Sequence, residues 1–347
     1  MSEFNPQALQ GAMDAVNKKY GENTVLNLEE GGTPLSVIPV GDPLVDAALK
    51  GRSEHGGIPR YKIIEIYGAE SSGKTTFALH IVAEELKLDP RAVLYIDAEH
   101  ALDKGYAAHL GIDLKRVIIC QPTLGKEAMT VARDLVESGQ ISIIVIDSWS
   151  SLEPEDDAKA DEVGDKKVGG SAMLASRGLR AMAGRCGDFK ATMIILNQER
   201  VNITPMGARG KVTSGGNAMK FYPSLRLEIK THGVSQETNQ FKRTLRVAKS
   251  KCQAPVFHEV DFYVGFGIGI DKIKNLMQMG LEEGVIEKSG SWYSANGERL
   301  GQGFNNASTR LCESEGMRDA ICKALGVKTF TPLQPYTPKT TILTNEE

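Results

Sequence analysis

The stretch KIIEIYGAESSGKTT, residues 62–76, constrains the fold of this chain more than any other part of its sequence. An apolar run, Ile63 to Tyr67, leads into Gly68-Ala69-Glu70-Ser71-Ser72-Gly73-Lys74-Thr75, which has the G-x-x-x-x-G-K-[ST] spacing of a phosphate-binding loop. The two glycines permit backbone conformations that a Cβ would forbid, so successive N–H groups turn inward around an anion. The helical segment FALHIVAEEL follows directly. We therefore predict a buried strand, a nucleotide phosphate site and a helix in succession.

Individual loop residues have distinct predicted roles. The helix after the loop adds the positive end of its dipole to the inward N–H groups. Lys74 is placed to reach the terminal phosphates, and the Thr75 hydroxyl is a ligand for Mg²⁺. The expected cofactors are ATP and Mg²⁺, and the nucleotide-binding residues of this segment are Gly68, Ala69, Glu70, Ser71, Ser72, Gly73, Lys74, Thr75 and Thr76.

Length and composition narrow the class of protein. The 347 residues fit one large domain with one or two small ones. A net charge of −3 provides no global positive field, so any polyanion must be bound by local patches. The five cysteines are scattered, which argues against a disulfide framework and fits a reducing compartment. The N-terminus lacks signal character and no apolar run approaches the ~20 residues of a membrane span, so we expect a cytoplasmic protein without membrane contact.

Strand and helix patterns alternate from about residue 36 to 270. Continuous apolar runs predict strands buried on both faces of a mostly parallel sheet, and later alternating runs predict an antiparallel extension at one side. The fold class is thus α/β, with helices on both faces of the sheet. The apolar runs are Ile63–Tyr67, Val93–Ile96, Val117–Cys120, Ile141–Ile146 and Met193–Leu196, separated by helical segments at 74–87, 103–110, 125–138 and 171–186, and the alternating runs centre on Leu227, Leu245 and Phe262.

The ends of the chain differ from this core. Residues 5–20 predict an amphipathic helix, capped by Asn5, whose apolar side packs either on its own core or on a neighbouring subunit. Residues 271–327 predict a small α+β appendage: a helix, a hairpin around Asn296-Gly297 and one further helix to Gly326. The expected organisation is an N-terminal docking segment at 1–35, an ATPase core at 36–270, a small domain at 271–328 and a disordered tail at 329–347.

Acidic residues end two of the buried strands. Asp147 follows Ile141–Ile146, and a carboxylate at the C-terminal edge of a parallel sheet beside a phosphate loop holds Mg²⁺ directly or through water. The alternative is that Asp147 only caps the next turn. Asp97 and Glu99 follow the strand Val93–Ile96, and Glu99 is our candidate for orienting and deprotonating the attacking water. Residues two apart in a strand point the same way, so spacing alone does not choose between them.

The strand that ends in Leu196 is followed by a neutral amide and a basic loop. Gln198 suits a γ-phosphate sensor because an amide donates or accepts a hydrogen bond without taking up a proton. The predicted loop from Glu199 to Ser214 is long for a compact domain, which indicates function or disorder. It is the clearest basic patch of an acidic chain. A second loop, residues 158–170, carries Lys166 and Lys167 and leads into a helix; the alternative for both loops is a solvated connection.

Several blocks of the sequence resemble, in the same order, those of the RecA family of bacterial and phage recombinases. The phosphate loop is shared by many ATPases, whereas its combination with DAEHALD and GGNAMKFY is highly specific. The resemblance covers roughly residues 5–326 and implies a RecA-type core. The blocks are EIYGAESSGKTT, YIDAEHALD, IVIDS, LNQ, TSGGNAMKFY and GSWYSANGERLGQG.

The resemblance implies roles for single residues around ATP. Glu99 matches the catalytic carboxylate and Gln198 the γ-phosphate sensor, which with Lys74 form the expected catalytic set. Asp103 and Tyr106 match a pair that contacts adenine, with Tyr106 stacked on the base. Further matches lie at the subunit boundary: Lys249 and Lys251 correspond to lysines that reach the ATP of the neighbouring subunit, and Phe221 to an interface aromatic.

The resemblance also assigns both loops to single-stranded DNA. Basic side chains neutralise phosphates, and an apolar side chain wedges between bases. The expected DNA-binding residues are Val168, Arg177, Arg180, Arg200, Ile203, Arg209, Lys211, Ser214, Gly215, Gly216 and Asn217. The chain departs from the family pattern at Val168, where a Met is usual, at Met173, where an Arg is usual, at Glu199, where an apolar residue is usual, and in an acidic tail reduced to Glu346-Glu347.

We therefore expect a DNA-dependent ATPase that polymerises head to tail on single-stranded DNA and exchanges strands with a homologous duplex. A head-to-tail contact that does not close gives a helical filament. One alternative is a ring helicase or another motor on the same core, which requires a closed interface. A mediator without ATPase activity is disfavoured by the intact Lys74, Glu99 and Asp147, and a metabolic kinase is disfavoured because no acceptor pocket is evident.

Overall fold

A computed structural model describes residues 4–21, 24–27, 35–51, 56–154, 170–203, 209–235, 240–251 and 256–336, with the backbone alone at 201–203, 209–211, 233–235 and 240. The chain divides into two units, Met1–Leu35 and Ser36–Glu347. None of the helices in the described ranges has the length and apolar character of a membrane span.

The small unit contains one capped helix, α1 (Pro6–Tyr20). The Asn5 side chain accepts hydrogen bonds from the N–H groups of Gln7 and Ala8, both at 3.1 Å, as the cap signal in the sequence predicts. The side chain of Asn17 bonds both the N–H and the carbonyl oxygen of Val25, which fixes the chain after the helix. No residue of α1 is buried. The predicted apolar side of this helix is therefore available for a contact outside the unit.

Up to residue 270, the described part of the large unit has six helices and twelve strands, in a mainly alternating order. The helices are α2 (Pro43–Ala48), α3 (Lys74–Leu88), α4 (Lys104–His109), α5 (Gly125–Glu137), α6 (Gly170–Asp188) and α7 (Gly216–Phe221), beside short 3-10 turns. The strands are β1 (Val37–Ile38), β2 (Ile58–Pro59), β3 (Ile63–Gly68), β4 (Ala92–Asp97), β5 (Val117–Cys120), β6 (Ile141–Asp147), β7 (Thr192–Ile203), β8 (Arg209–Thr213), β9 (Leu225–Ser235), β10 (Gln240–Ser250), β11 (Glu259–Gly265) and β12 (Gly269–Ile270).

One large mixed sheet organises this unit. Its strand order is β12-β11-β10-β9-β3-β7-β6-β4-β5, with β8 paired to β7 outside this path. The six strands from β9 to β5 are parallel to one another, whereas β10, β11 and β12 add antiparallel pairs at one side. The parallel core and the antiparallel extension are both as the sequence predicts, and they confirm the α/β fold class.

Apolar side chains fill both faces of the sheet. Ile64 and Ile66 of β3 belong to a cluster with α3, while Ile63 belongs to a second cluster with α5 and α6. This two-sided burial explains the continuous apolar runs. The prediction is wrong for β5, where Ile118 and Ile119 are 43% and 37% exposed. The reason is topological, because β5 is the edge strand and no further strand covers it.

The predicted loop from Glu199 to Ser214 is largely a hairpin. β7 continues past the edge of the sheet to Ile203, and β8 returns antiparallel to it, with Glu199 opposite Thr213. The absence of apolar alternation misled the prediction here. A two-stranded ribbon that leaves the sheet is held by main-chain hydrogen bonds and needs no buried face.

The last part of the chain forms a third cluster. It comprises α8 (Lys272–Glu282), the antiparallel strands β13 (Ile286–Ser289), β14 (Trp292–Ala295) and β15 (Glu298–Gln302), α9 (Phe304–Glu313) and α10 (Glu315–Ala324). The single predicted final helix is thus two, divided at Ser314. Residues 329–336 differ from the expected disordered tail: they form neither helix nor strand, yet Leu333 packs against the main core. Residues 337–347 lie outside the described part.

A buried histidine joins α3 to β12. The backbone N–H of Ile270 donates to Nε2 of His80 at 2.9 Å. Gly269 has φ +75°, and a Cβ there would lie 2.3 Å from the same Nε2, so only glycine allows this approach. Burial, aided by the charges of Lys272 and Lys87, lowers the pKa of His80 to about 3. His80 is therefore neutral in the folded protein at all moderate pH values.

We expect His80 to make the protein less stable as the pH falls. Because its pKa is depressed, only the unfolded chain takes up the proton below about pH 6.5, so unfolding becomes easier. From about pH 7.5 to about pH 5 this contributes roughly 2 kcal/mol. Urea unfolding of wild type and His80→Gln at both pH values measures the difference, since glutamine retains an acceptor oxygen. An equal loss of stability in the two proteins would contradict the neutral buried histidine.

Candidate functional site

The phosphate loop joins β3 to α3 in the predicted way. Ser71 has φ 55° and Gly73 φ 93°, so the chain passes through the left-handed region twice before the helix. Gly73 occupies the N-cap of α3 without a side-chain cap hydrogen bond. The first N–H groups of the helix are consequently free of a capping side chain and combine with the helix dipole to favour an anion.

Lys74 folds back over the loop. Its Nζ donates to the carbonyl oxygen of Ala69 at 2.7 Å, and lies 3.4 Å from that of Gly68. Burial lowers the pKa of Lys74, and the carboxylates of Asp147, Glu99 and Glu70 oppose this effect. The loop thus holds a cation within reach of any phosphate bound by its N–H groups.

Asp147, at the end of β6, lies beside the first turn of α3. Its Oδ2 accepts hydrogen bonds from the Thr75 hydroxyl and the Tyr95 hydroxyl, both at 2.7 Å. Burial raises the pKa of Asp147, while these two hydrogen bonds lower it. The sequence prediction did not include Tyr95. Its signal was present, because a tyrosine within a buried strand needs a polar partner for its hydroxyl.

Glu99 and Gln198 meet across the end of the sheet. Oε1 of Glu99 accepts from Nε2 of Gln198 at 3.1 Å, from Ser148 Oγ at 2.5 Å and from Ser151 Oγ at 3.1 Å. The register explains this, since Gln198 pairs with Gly68 at the start of the phosphate loop. The candidate base, the candidate sensor and the phosphate loop therefore share one edge.

Asp97 has a different environment from Glu99. It is buried, and its carboxylate accepts from the N–H of Ala101 at 3.1 Å and from Nε2 of Gln121 at 3.1 Å. Glu99 is exposed. Asp97 thus anchors the loop after β4, which leaves Glu99 as the carboxylate that faces solvent at this edge.

Asp103 and Tyr106 lie next to the same helix. Asp103 caps α4, and its Oδ1 accepts from the Tyr106 N–H at 3.0 Å. The Tyr106 hydroxyl is hydrogen-bonded to Thr76, two residues after Lys74. Because Thr76 is in the first turn of α3, the Tyr106 ring borders the phosphate loop.

Asn197, next to the candidate sensor Gln198 on β7, is hydrogen-bonded to the end of the hairpin. Its Nδ2 donates to Ser214 O at 2.9 Å and to Glu65 Oε1 at 3.0 Å, and its Oδ1 accepts from the Gln198 N–H. Glu65 is fully buried and forms an ion pair with Arg226. Asn197 therefore joins Gln198, at the start of the hairpin, to Ser214, directly after β8.

The predicted DNA-binding residues fall into four groups. Arg200, Arg177 and Arg180 are exposed, the first on the hairpin and the others on α6, where Arg180 donates to the Tyr222 hydroxyl at 3.1 Å. Ile203, Arg209 and Lys211 lie at the ends of β7 and β8 that are next to each other, at positions of which only the backbone is described. Val168 lies outside the described residues, as do Lys166 and Lys167.

The remaining members of the set lie at the base of the hairpin. Gly215 and Gly216 have φ values of 91° and 61° at the start of α7, followed by exposed Asn217. A Cβ on Gly215 would meet Met219 at 2.6 Å, and one on Gly216 would meet Ala172 at 2.9 Å. Backbone conformation and close packing thus already require glycine here, apart from any approach to a phosphate.

Lys249 and Lys251 lie away from the phosphate loop of their own chain. Nζ of Lys249 donates to the carbonyl oxygens of Lys220 and Phe221 at 2.5 and 3.0 Å, and Nζ of Lys251 donates to Phe221 O at 2.8 Å. Burial and the neighbouring Lys251 lower the pKa of Lys249 to about 8. Phe221, between them, is 67% exposed. The three residues form one outward-facing patch at the C-terminal end of α7.

Arg243 is a site residue that sequence reasoning missed. It is buried on β10, donates from Nε to Ser72 O at 3.1 Å and from Nη2 to Ser71 O at 3.3 Å, and stacks on Phe241 at 5.0 Å. A signal existed, because Arg243 is in phase with buried Leu245 on this strand. By holding two carbonyl oxygens of the phosphate loop, Arg243 stabilises the orientation in which the N–H groups face inward.

Two protein-family models and many curated proteins match this chain. The RecA N-terminal domain matches residues 7–271, and the RecA C-terminal domain matches residues 274–329. Among curated relatives, Protein RecA of Nocardia farcinica is 42% identical over 326 residues, covering 93% of this chain and 92% of that protein. Protein RecA of Solidesulfovibrio magneticus is 40% identical over 324 residues, covering 92% of this chain and 89% of that protein.

We expect Arg243→Met to weaken ATP binding about ten-fold, because two charge-assisted hydrogen bonds to the loop are lost. Arg243→Lys should lie between wild type and the Met variant. Equilibrium titration with ATP measures the effect, and thermal unfolding verifies the fold. Arg246→Met is the matched control, since Arg246 lies on the same strand but pairs with Glu228 and Glu259. Equal ATP affinity of Arg243→Met and wild type would exclude this positioning role.

Proposed function

The chain belongs to the RecA family, and from this we infer that it is a DNA-dependent ATPase that polymerises on single-stranded DNA and catalyses homologous pairing and strand exchange in recombination and repair. The two RecA domains match in order over nearly the whole chain, and this disfavours a ring helicase. The scattered cysteines support the cytoplasmic location that we also propose.

The single observation that carries the proposed mechanism is the contact between Glu99 and Gln198 at 3.1 Å. Glu99 is the proposed base for the attacking water, and Gln198 the proposed sensor of the γ-phosphate. Beyond Gln198, the same strand continues into the β7–β8 hairpin with Arg200. One side chain pair would therefore connect ATP hydrolysis to the proposed DNA surface.

Different residues around the phosphate loop would perform different steps of ATP hydrolysis. The inward N–H groups and Lys74 would bind the β- and γ-phosphates and stabilise the charge that develops in the transition state. Glu99 would orient the water in line and accept its proton. Gln198 would exchange its hydrogen bond with Glu99 for one to the γ-phosphate, and the loss of that phosphate would release it.

We propose that Thr75 and Asp147 hold Mg²⁺ when ATP binds. Their oxygens are the hard donors that Mg²⁺ prefers, and they lie 2.7 Å apart. Within the described ranges, no group of three or more His, Cys, Asp and Glu side chains is arranged for a metal ion. Phosphate oxygens and water would thus complete the site. Bound Mg²⁺ would neutralise charge on the β- and γ-phosphate oxygens.

The sheet register supports a role of Lys249 and Lys251 across the subunit boundary. Lys249 pairs with Arg226, which pairs with Glu65, three residues before Gly68. Three residues span roughly 10 Å along a strand, so Lys249 lies about that far along the strand direction from the level of Gly68. Both lysines donate to the carbonyl oxygen of the exposed Phe221. We propose that this patch contacts ATP on the next subunit, and that α1 docks on a neighbouring core. The resulting head-to-tail contact would build the helical filament.

DNA binding is proposed for the hairpin, the start of α7 and the arginines of α6. Lys and Arg would neutralise phosphates, and Gly215-Gly216 would let the backbone come close to the strand. Sequence recognition would come from pairing between the bases themselves. The protein would then need mainly backbone contacts and apolar wedges, for which Ile203 and Val168 are proposed.

We expect Glu99→Gln to bind ATP normally but to hydrolyse it about 10²–10⁴-fold more slowly, because glutamine does not accept the proton. ATP binding by titration and phosphate release with single-stranded DNA measure the two steps. Glu127→Gln, an equal charge change at an exposed position on α5, should hydrolyse ATP at the wild-type rate. Normal turnover by Glu99→Gln would move the catalytic role to another group.

We expect Arg200→Ala to weaken single-stranded DNA binding about five-fold, because one phosphate contact is lost. The slope of the logarithm of affinity against the logarithm of salt concentration should become shallower by about one. The DNA-stimulated ATPase should fall, while the rate without DNA is retained. Fluorescence anisotropy at several salt concentrations measures this, with the exposed Arg133→Ala on α5 as control. If both variants bind DNA as wild type does, the hairpin is not part of the DNA surface.

A further inference from the structure

The aromatic ring of Tyr336 lies against that of Tyr106, the residue whose hydroxyl is hydrogen-bonded to Thr76 of α3. The two ring centroids are 5.9 Å apart, and the ring of His109 is 5.6 Å from Tyr336. The Tyr336 hydroxyl is hydrogen-bonded to the Asp103 side chain. One tyrosine of the C-terminal segment thus contacts both residues of the candidate adenine pair.

The segment before Tyr336 is anchored on the core. The Tyr336 N–H donates to Gly267 O at 3.0 Å. Leu333 packs against the main hydrophobic cluster, and Pro332–Pro335 border a cavity of about 250 Å³ with residues of β12, α8 and α9. Backbone and apolar contacts of residues 332–336 therefore hold Tyr336 in this position.

Two glycines make room for this contact. A Cβ on Gly105 would lie 2.2 Å from the Tyr336 hydroxyl oxygen, and a Cβ on Gly267 would lie 2.7 Å from the Tyr336 nitrogen. Gly267 also has φ +72°, which disfavours a side chain independently. Asp103, Gly105, Tyr106, His109 and Gly267, hereafter the base-side surface, thus form a fitted receptor for an aromatic residue with a hydrogen-bonding edge.

We propose that the base-side surface is a binding site for Tyr336 of the chain's own C-terminal segment, and that Tyr336 and the adenine of ATP exclude one another there. This rests on the proposed role of Asp103 and Tyr106 in binding the base. A phenol ring that packs on Tyr106 at an interplanar angle of 45° and is bonded to Asp103 occupies the two groups that a purine with an exocyclic amine would use. Binding of ATP then requires the segment to leave.

The consequence is a lowered apparent affinity for adenine nucleotides. Only the fraction of molecules with Tyr336 displaced accepts the base, and the dissociation constant rises by the inverse of that fraction. Ligands that use the phosphate loop without a base are unaffected. Because ATP and ADP carry the same base, the contact would weaken the binding of both by the same factor and leave the ratio of their affinities unchanged.

Hydrogen exchange of the full-length protein tests the docking directly. The amide of Tyr336 should be protected without nucleotide, because it donates to Gly267. ADP should abolish this protection, whereas tripolyphosphate, which carries no base, should leave it intact. Rapid exchange without nucleotide would overturn the docking, and protection that persists at saturating ADP would overturn the mutual exclusion.

Variants test the effect on affinity. Tyr336→Ala should bind ADP about five-fold more tightly than wild type and tripolyphosphate equally well, with Tyr336→Phe in between, because it keeps the ring but loses the bond to Asp103. Unchanged binding of ADP by Tyr336→Ala would overturn the proposal. Weaker binding would also overturn it, because Tyr336 would then contribute to binding of the base.

A second pair of variants separates this proposal from the proposed function. Tyr106→Ala should weaken ADP binding and not tripolyphosphate binding, and in that background the gain from Tyr336→Ala should vanish. If Tyr106→Ala leaves ADP affinity unchanged, the assignment of Tyr106 to the base fails, while the exchange protection of Tyr336 still reports whether the segment docks.

Discussion

The parallel alignment of β3, β7, β6 and β4 is the constraint on which the whole site depends. Parallel strands end at one edge of the sheet, and the register there is explicit: Gly68 lies opposite Gln198, and Asp97 lies opposite Asp147. The phosphate loop, the candidate sensor and the acidic residues are thereby adjacent without any of them being close in sequence. Burial of the strands on both faces keeps this alignment rigid.

Polar groups at this edge are joined to one another rather than left isolated. Thr75 and Tyr95 share the carboxylate of Asp147, and Ser148, Ser151 and Gln198 share that of Glu99. Buried or half-buried carboxylates are costly unless they accept hydrogen bonds. The same bonds position the carboxylates relative to α3. The network is thus both a condition for stability and the geometry on which the proposed hydrolysis depends.

Three groups outside the phosphate loop make contacts near this edge of the sheet. Arg243 on β10 hydrogen-bonds the phosphate loop, Asn197 links the strand of the candidate sensor Gln198 to Ser214, and Tyr336 lies on the base-side surface. The contacts of Arg243 and Tyr336 join elements that are far apart in sequence. A substitution at Arg243 or in the C-terminal segment is therefore expected to affect nucleotide binding, although neither belongs to a nucleotide motif.

The sequence by itself determined the strand–loop–helix unit, the α/β class and the family, because a glycine-rich loop, continuous apolar runs and ordered motif blocks are local patterns with few structural solutions. It did not determine the pairing of β7 with β8, the exposed edge strand β5, the different environments of Asp97 and Glu99, or the placement of Arg243 and Tyr336. Those features arise where strands and segments separated by tens of residues come together. Only the tertiary structure decided them, since pairing partners and burial are properties of the assembled sheet and not of any stretch within it.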